Sequence, residues 1–233
     1  MRENNTPRFH EFRKKVMIIT GPLLYSCIIL LGLSIYFYPG GYNFLRHNIS
    51  EVGRVTASNL EPNTISMILF VSTTTINAIV MTVVFVNLTL DIKEKKASRI
   101  LSIIGTVFGI LTSILYLLIG LVPADIHHDA HVIIIFMAAP FLCVTVLFFM
   151  LAIFIDKQIP NYLGYLFLII FVLFLIFAII TIIGTQLDDD LEHTLRALGH
   201  TIFIFILFAA FGTINILYWN FHRIKSKTED IMA

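Results

Sequence analysis

Between Gly120 and His131 an apolar run stops at Pro123 and gives way to GLVPADIHHDAH, where three histidines and two aspartates fall within seven residues. Imidazole is the commonest metal ligand and carries protons near neutral pH. Of the eight histidines, His10 and His222 lie in the two tails, whereas His47, His127, His128, His131, His193 and His200 all fall on one side of the apolar runs. A helix starting near residue 127 puts His127 and His131 at i and i+4, one turn apart on a face that could hold a single metal. His193 and His200 are two turns apart and share a face if the last apolar segment extends outward as a helix. Asp125, two residues after Pro123, is expected to cap the helix that follows. A second cluster, HNISE, sets His47 three residues before Ser50 and next to Glu51 in register, so that one helical turn brings imidazole and hydroxyl together.

These residue types suit a zinc-dependent lipid hydrolase. His131, His200 and either His47 or His127 would supply nitrogen ligands, and a bound water would complete a tetrahedral site. Asp125 or Glu51 would handle the proton of that water, and Ser50 would hydrogen-bond the oxyanion. The competing reading is a non-enzymatic protein that binds lipid or a membrane partner through the same loops, with Pro123 and Asp125 setting a helix start and Ser50 and Glu51 anchoring a loop. Base rate favours this reading, because satisfied polar groups on membrane helices require no catalysis. A third reading is one haem held between two histidines. His127 and His128 also read as interfacial residues facing water, and Asp188, Asp189 and Asp190 as a solvated acidic loop.

The elements that must position these groups are membrane helices. With 58% hydrophobic residues, 21 Phe and 13% charged residues, the chain exceeds what a soluble core can bury. Six apolar runs, at about 16–38, 64–89, 99–122, 131–155, 161–184 and 197–219, are each long enough to cross roughly 30 Å of hydrocarbon. Spanning backbone must satisfy itself internally, so these runs are expected to be helices. The fold class is therefore an all-α, six-helix polytopic bundle: an N-terminal tail over 1–15, a transmembrane domain over 16–219 and a C-terminal tail over 220–233. The first run is longer than a signal core and reads as a retained span.

Lys and Arg segregate thirteen to three between the two sets of connections, which by the positive-inside rule puts both termini in the cytoplasm of a cell-membrane protein. A net charge of +1 argues against a nucleic-acid partner. The partners expected are the bilayer, a lipid substrate or ligand, and a second copy of the chain. Gly105 and Gly109 form a GxxxG spacing that allows close helix approach, and Asn77, Thr73, Thr74, Thr75 and Asn215 are expected to face other helices. Cys27 and Cys143 read as small core residues.

PGGYNFLRHNISEVGR followed by GLVPADIHHDAH resembles the six-span family of domain of unknown function 998. The matching residues are Ser50, Glu51 and Gly53 of a Ser-Asp/Glu-x-Gly element, and Gly120, Pro123, Asp125 and His131 of a Gly-x-x-Pro-x-Asp…His element. Glu51 stands where Asp is more usual in that family, and Val52 where Leu is. The resemblance implies six spans over nearly the whole chain and supplies no agreed activity. More distantly the pattern is similar to the Frag1/DRAM/Sfk1 group, and to membrane hydrolases of the alkaline ceramidase and adiponectin receptor kind. The latter imply a zinc site of His, Asp and Ser, with an HxxxH pair in the last span. His193 and His200 occupy that place here, at a wider spacing.

Overall fold

The computed structural model describes residues 7–184, 186 and 188–232. Six helices account for nearly all of them: α1 Pro7–Tyr36, α2 Thr64–Asp91, α3 Lys96–Leu121, α4 His128–Ile155, α5 Asn161–Gly184 and α6 Asp189–Met232. Each contains a stretch long and apolar enough to cross a membrane. Two helices outrun the expected spans. The first begins at Pro7, and the last begins at Asp189, eight residues before the apolar run, and runs on to Met232. Chain geometry sets the ends. Gly40 and Gly41 take positive φ angles just after α1, and Pro123 follows α3 within two residues.

Successive helices pack side by side and α6 closes back on α1, so the order around the bundle is the order in the sequence. The short connections from α2 to α3 and from α4 to α5 leave no other economical path for antiparallel neighbours. One face carries the start of α1 and the ends of α2 and α4, and is called the terminal face below. The other carries the 39–63 segment, here loop one.

Two cores fill the ring. Nearer the terminal face, Phe85, Phe149, Phe167 and Phe211 from four different helices form one aromatic cluster, with centroids 5.3 to 6.1 Å apart in stacked and edge-on pairs. Since lipid is as apolar as these side chains, what the cluster adds is close packing and ring geometry, about 0.5–1.5 kcal/mol per pair. Gly105 and Gly109 serve this core. A Cβ at Gly105 would stand 3.0 Å from the Phe149 ring, and one at Gly109 2.4 Å from the Phe85 ring. The GxxxG spacing thus receives one ring from α4 and one from α2. The second core joins α1, α2 and α6 to loop one through Cys27, Leu31, Tyr38, Ile49, Val52 and Phe70. Both cysteines are free, and Cys27 is fully buried.

Polar groups inside the ring divide between two kinds of partner. Asn215 Nδ2 donates to Thr20 Oγ1 across α6 and α1 at 2.8 Å, and Ser34 Oγ donates to the Ser66 carbonyl across α1 and α2 at 2.8 Å. Thr73 and Thr74, expected to bond other helices, instead donate to carbonyls of their own helix, Leu69 and Val71. At the terminal face the Arg13 guanidinium donates to Asn87 Oδ1, to the Asn87 carbonyl and to both Asp91 oxygens, and the Tyr218 hydroxyl also reaches Asp91. This knot ties α1, α2 and α6 at one end.

Candidate functional site

Loop one folds down as a cap on the end of the ring. A 3-10 turn, Ile49–Gly53, inserts Ile49, Val52 and Gly53 among the helices. Asn63 Nδ2 donates to the carbonyls of Val52 and Arg54 at 3.0 and 2.9 Å, and Ser66 Oγ also donates to Val52 at 2.9 Å. The loop's return leg bridges Thr56 to Pro62. Buried backbone of this kind needs such internal partners.

Glu51 closes the 3-10 turn on itself. Its Oε1 accepts from the Asn48 amide at 2.9 Å and its Oε2 lies 3.4 Å from Arg54 Nη1. Ser50 lies half-buried in the same turn. His47 is likewise engaged within the loop: Nδ1 accepts from the Asn43 amide at 3.1 Å, Nε2 meets Ser58 Oγ at 3.3 Å, and the ring packs on Tyr38 and Tyr42. The imidazole therefore meets a different serine from the one its spacing suggested. Burial pushes the Tyr42 phenol up to about 12, so the hydroxyl keeps its proton and donates to the His47 carbonyl at 2.7 Å. The same hydroxyl meets Thr201 Oγ1 of α6 at 3.3 Å.

Asp125 does not cap α4. That helix starts at His128 with His127 in the capping position, and no side chain there bonds the free amides. Asp125 instead reaches back to loop one, where Oδ1 accepts from the Val55 amide at 3.1 Å and Oδ2 from the Thr56 amide at 2.9 Å. The chain bends at Val55, so two consecutive amides converge on the carboxylate's two oxygens, a better use of both than a single cap bond. Gly53 and Gly120 belong to the same assembly. A Cβ on Gly53 would lie 2.3 Å from the Phe70 ring, and one on Gly120 2.0 Å from Thr74 Oγ1, so neither position has room for a side chain as packed.

His127 and His131 share a face by register but not by environment. His127 is exposed, as is His128, while His131 is 3% exposed. His131 Nδ1 stands 2.6 Å from the Val122 carbonyl at the end of α3. A carbonyl only accepts, so Nδ1 carries the proton; in the neutral ring Nε2 is then a bare acceptor. That Nε2 is buried and has no hydrogen-bond partner. His200 stands on α6, and α5 lies between that helix and α4 in the ring. Its ring stacks on Phe177 of α5 at 6.0 Å, and among the described residues its nitrogens make no hydrogen bond. His193 does share the face of an outward-extended α6, with Nδ1 also buried and unpartnered.

The four expected metal ligands are thus not brought to one point. His47 is engaged in loop one, His127 faces out, and His131 and His200 stand on α4 and α6, which are not neighbours in the ring. Among the described residues no group of three or more His, Cys, Asp or Glu side chains is disposed to hold a metal ion. The acidic segment before the last span is also not a free loop. Asp188 Oδ1 accepts from the Leu191 amide at 3.0 Å, so it caps α6, whose first turns begin at Asp189. Asp190 pairs with Arg46 at 2.8 Å, tying α6 to loop one from outside.

Sequence spacing did not single out Tyr42, Tyr116 or the Val122 carbonyl. Tyr116 lies deep in α3 where the two cores meet, half-buried, and its hydroxyl makes no hydrogen bond among the described residues. A lone tyrosine in an apolar run carries no local signal. Comparison with family models, with curated proteins and with solved structures gives no match.

Proposed function

We propose that the protein binds an amphipathic lipid at the loop-one end of the ring without transforming it, the lipid's hydroxyl-bearing head being received by His131 and His200. The observation that carries this reading is the buried, unpartnered Nε2 of His131. Leaving such an acceptor unmade costs about 1–3 kcal/mol, which a donor group of a ligand recovers. Because Nδ1 is committed to Val122, the complementary ligand must donate, as a free hydroxyl or amide does and a fully esterified head does not. His200, stacked on Phe177, offers a second imidazole from α6.

Binding is favoured over hydrolysis because the groups a hydrolase would use are spent on the fold. Asp125 and Glu51 each hold backbone amides, and His47 holds loop one. The segregation of Lys and Arg supports a cell-membrane protein with its terminal face in the cytoplasm and the binding end outside. The resemblance to the six-span family of domain of unknown function 998 is carried in part by the same residues, Gly53, Gly120, Asp125 and His131.

The test is a thermal-shift titration in detergent with dioleoylglycerol and with its acetylated counterpart, which lacks the hydroxyl. Stabilisation by the free hydroxyl alone is expected, about 2.7 kcal/mol at a hundred times Kd. His131→Asn should abolish it, since the Asn amide can still donate to Val122 but presents nothing in place of Nε2, while the unliganded protein melts nearly as before. Equal shifts from both probes, or none from either, would count against the proposal.

A further inference from the structure

The ring is tightly packed toward the terminal face and looser toward loop one. On α5, Leu163, Gly164, Phe167 and Ile170 are buried, but no residue from 171 to 183 is. The cluster of Phe85, Phe149, Phe167 and Phe211 is the floor of this looser half. Tyr116 of α3 points into it. Thr112 and Gly120, one turn to either side, are buried, so Tyr116 lies on the inner stripe of its helix. It packs against both cores yet stays half-buried, and among the described residues its hydroxyl has no hydrogen-bond partner. Contacts between successive helices fix what else stands at its depth. His131 meets Val122, Phe149 lies against Gly105 and stacks on Phe167, and Phe177 stacks on His200. These antiparallel registers bring Tyr116 of α3, Ala138 of α4, Ala178 of α5 and His200 of α6 to about one level. The two alanines fill little of that level. Its two polar groups, Tyr116 and His200, stand on helices at opposite sides of the ring, and neither has a hydrogen bond among the described residues.

We infer that Tyr116 is a specificity residue for the bound lipid, donating its hydroxyl to a ligand carbonyl. The ligand is then an acylated alcohol, with a free hydroxyl and an ester or amide carbonyl in one head. This inference rests on the hydroxyl-binding role of His131 and adds the second half of the head. Val122, which fixes His131, is six residues from Tyr116, and that separation is about 9 Å along the helix axis. Two hydrogen bonds of about 2.8 Å each and a spacer of about four bonded atoms span such a gap. The free hydroxyl and the nearer ester carbonyl of a diacylglycerol are separated in this way. A phenol in an apolar chamber gains most from a group that only accepts, as a carbonyl does. The acyl chain runs on from the carbonyl toward the aromatic floor. A long-chain alcohol or an ether lipid satisfies His131 and leaves Tyr116 unmet.

Thermal-shift titration of the full chain in detergent tests it, with dioleoylglycerol and its dioleyl diether counterpart as probes. The diether keeps the hydroxyl and the chains and lacks both carbonyls. One neutral hydrogen bond is worth about fivefold in affinity, so the wild-type protein should bind the ester about fivefold more tightly than the diether. Tyr116→Phe should lose about fivefold for the ester and nothing for the diether, so that the two bind alike. The variant removes one oxygen that has no partner, and its unliganded melting temperature should not fall. His131→Asn should lose both probes. Equal binding of ester and diether by the wild type, or a preference for the ester that survives in Tyr116→Phe, overturns the carbonyl assignment and leaves the hydroxyl site standing. Binding of neither probe by the wild type overturns the hydroxyl site, and the carbonyl assignment falls with it.

Discussion

Removing the Asp125 carboxylate should release loop one without unfolding the helices. The carboxylate accepts from the Val55 and Thr56 amides at 3.1 and 2.9 Å, the first exposed and the second part-buried. Hydrogen bonds to a charged acceptor contribute up to about 1.5–3 kcal/mol each, and exposure brings each toward about 1 kcal/mol. Asp125→Ala should then lower the local opening free energy by about 2 kcal/mol, which is about thirtyfold in exchange rate at those two amides. Hydrogen–deuterium exchange resolved to peptides covering 52–58 measures it. Amides of the 3-10 turn should respond far less, because Glu51, Asn63 and Ser66 still hold that turn. Asp125→Asn gives a sharper signature: one oxygen remains an acceptor and the other becomes a donor facing an amide, so one of the two amides stays protected while its neighbour opens. If Asp125→Ala leaves exchange at 55 and 56 unchanged, or speeds it equally throughout α3 and α4, the clamp is not what holds the loop.

Three further substitutions separate close packing, buried charge and surface charge. Gly120→Ala should lower the melting temperature in detergent by the equivalent of about 1–3 kcal/mol, because the new methyl meets Thr74 Oγ1 at 2.0 Å. Thr74→Ala should restore part of that loss, and strict additivity would refute the contact. Arg13→Ala should destabilise by about 3 kcal/mol, since it removes the guanidinium from a site where the Arg13–Asp91 pair is only 13% and 16% exposed. Adding Asp91→Asn to that variant should recover stability in the same melt. By contrast Arg46→Ala should change the melting temperature little, about 0–1 kcal/mol, because that pair is 59% and 74% exposed. A large loss there would mean that the outer tie between loop one and α6 matters more than its solvent exposure implies.

Several features of the site could be read before any fold was known. Pro123 and Asp125 mark the break between two spans, and the value of Asp125 and His131 over His127 and His128 follows from where the apolar run resumes. The sequence could not say what Asp125 binds. Its partners lie 69 and 70 residues back, in a loop whose amides look like any others until the cap folds. Local rules offered helix capping, the commonest use of an aspartate after a proline, and the longer-range pair of amides won because it satisfies both oxygens. Histidine partners were hidden for the same reason. Histidine spacing placed ligands on faces, but the partner of each nitrogen is set by folding, and His47 found Asn43 and Ser58 within its own loop. The acidic run before the last span looked like solvated loop because its charge obscured a helix start, with Asp188 as the cap.

What the sequence alone determines here is the all-helical, six-span architecture. A bilayer core leaves only backbone that bonds to itself, and six apolar runs of spanning length permit one answer. What only the tertiary structure decided is which polar groups meet. The helices close in sequence order and α4 and α6 do not pack side by side, so His131 meets the end of α3 while His200 stacks on Phe177 of α5. It also decided that His131 spends one nitrogen on the end of α3 and keeps the other unbonded. Periodicity reports which face a residue occupies, and the packing of neighbouring helices determines what stands opposite it.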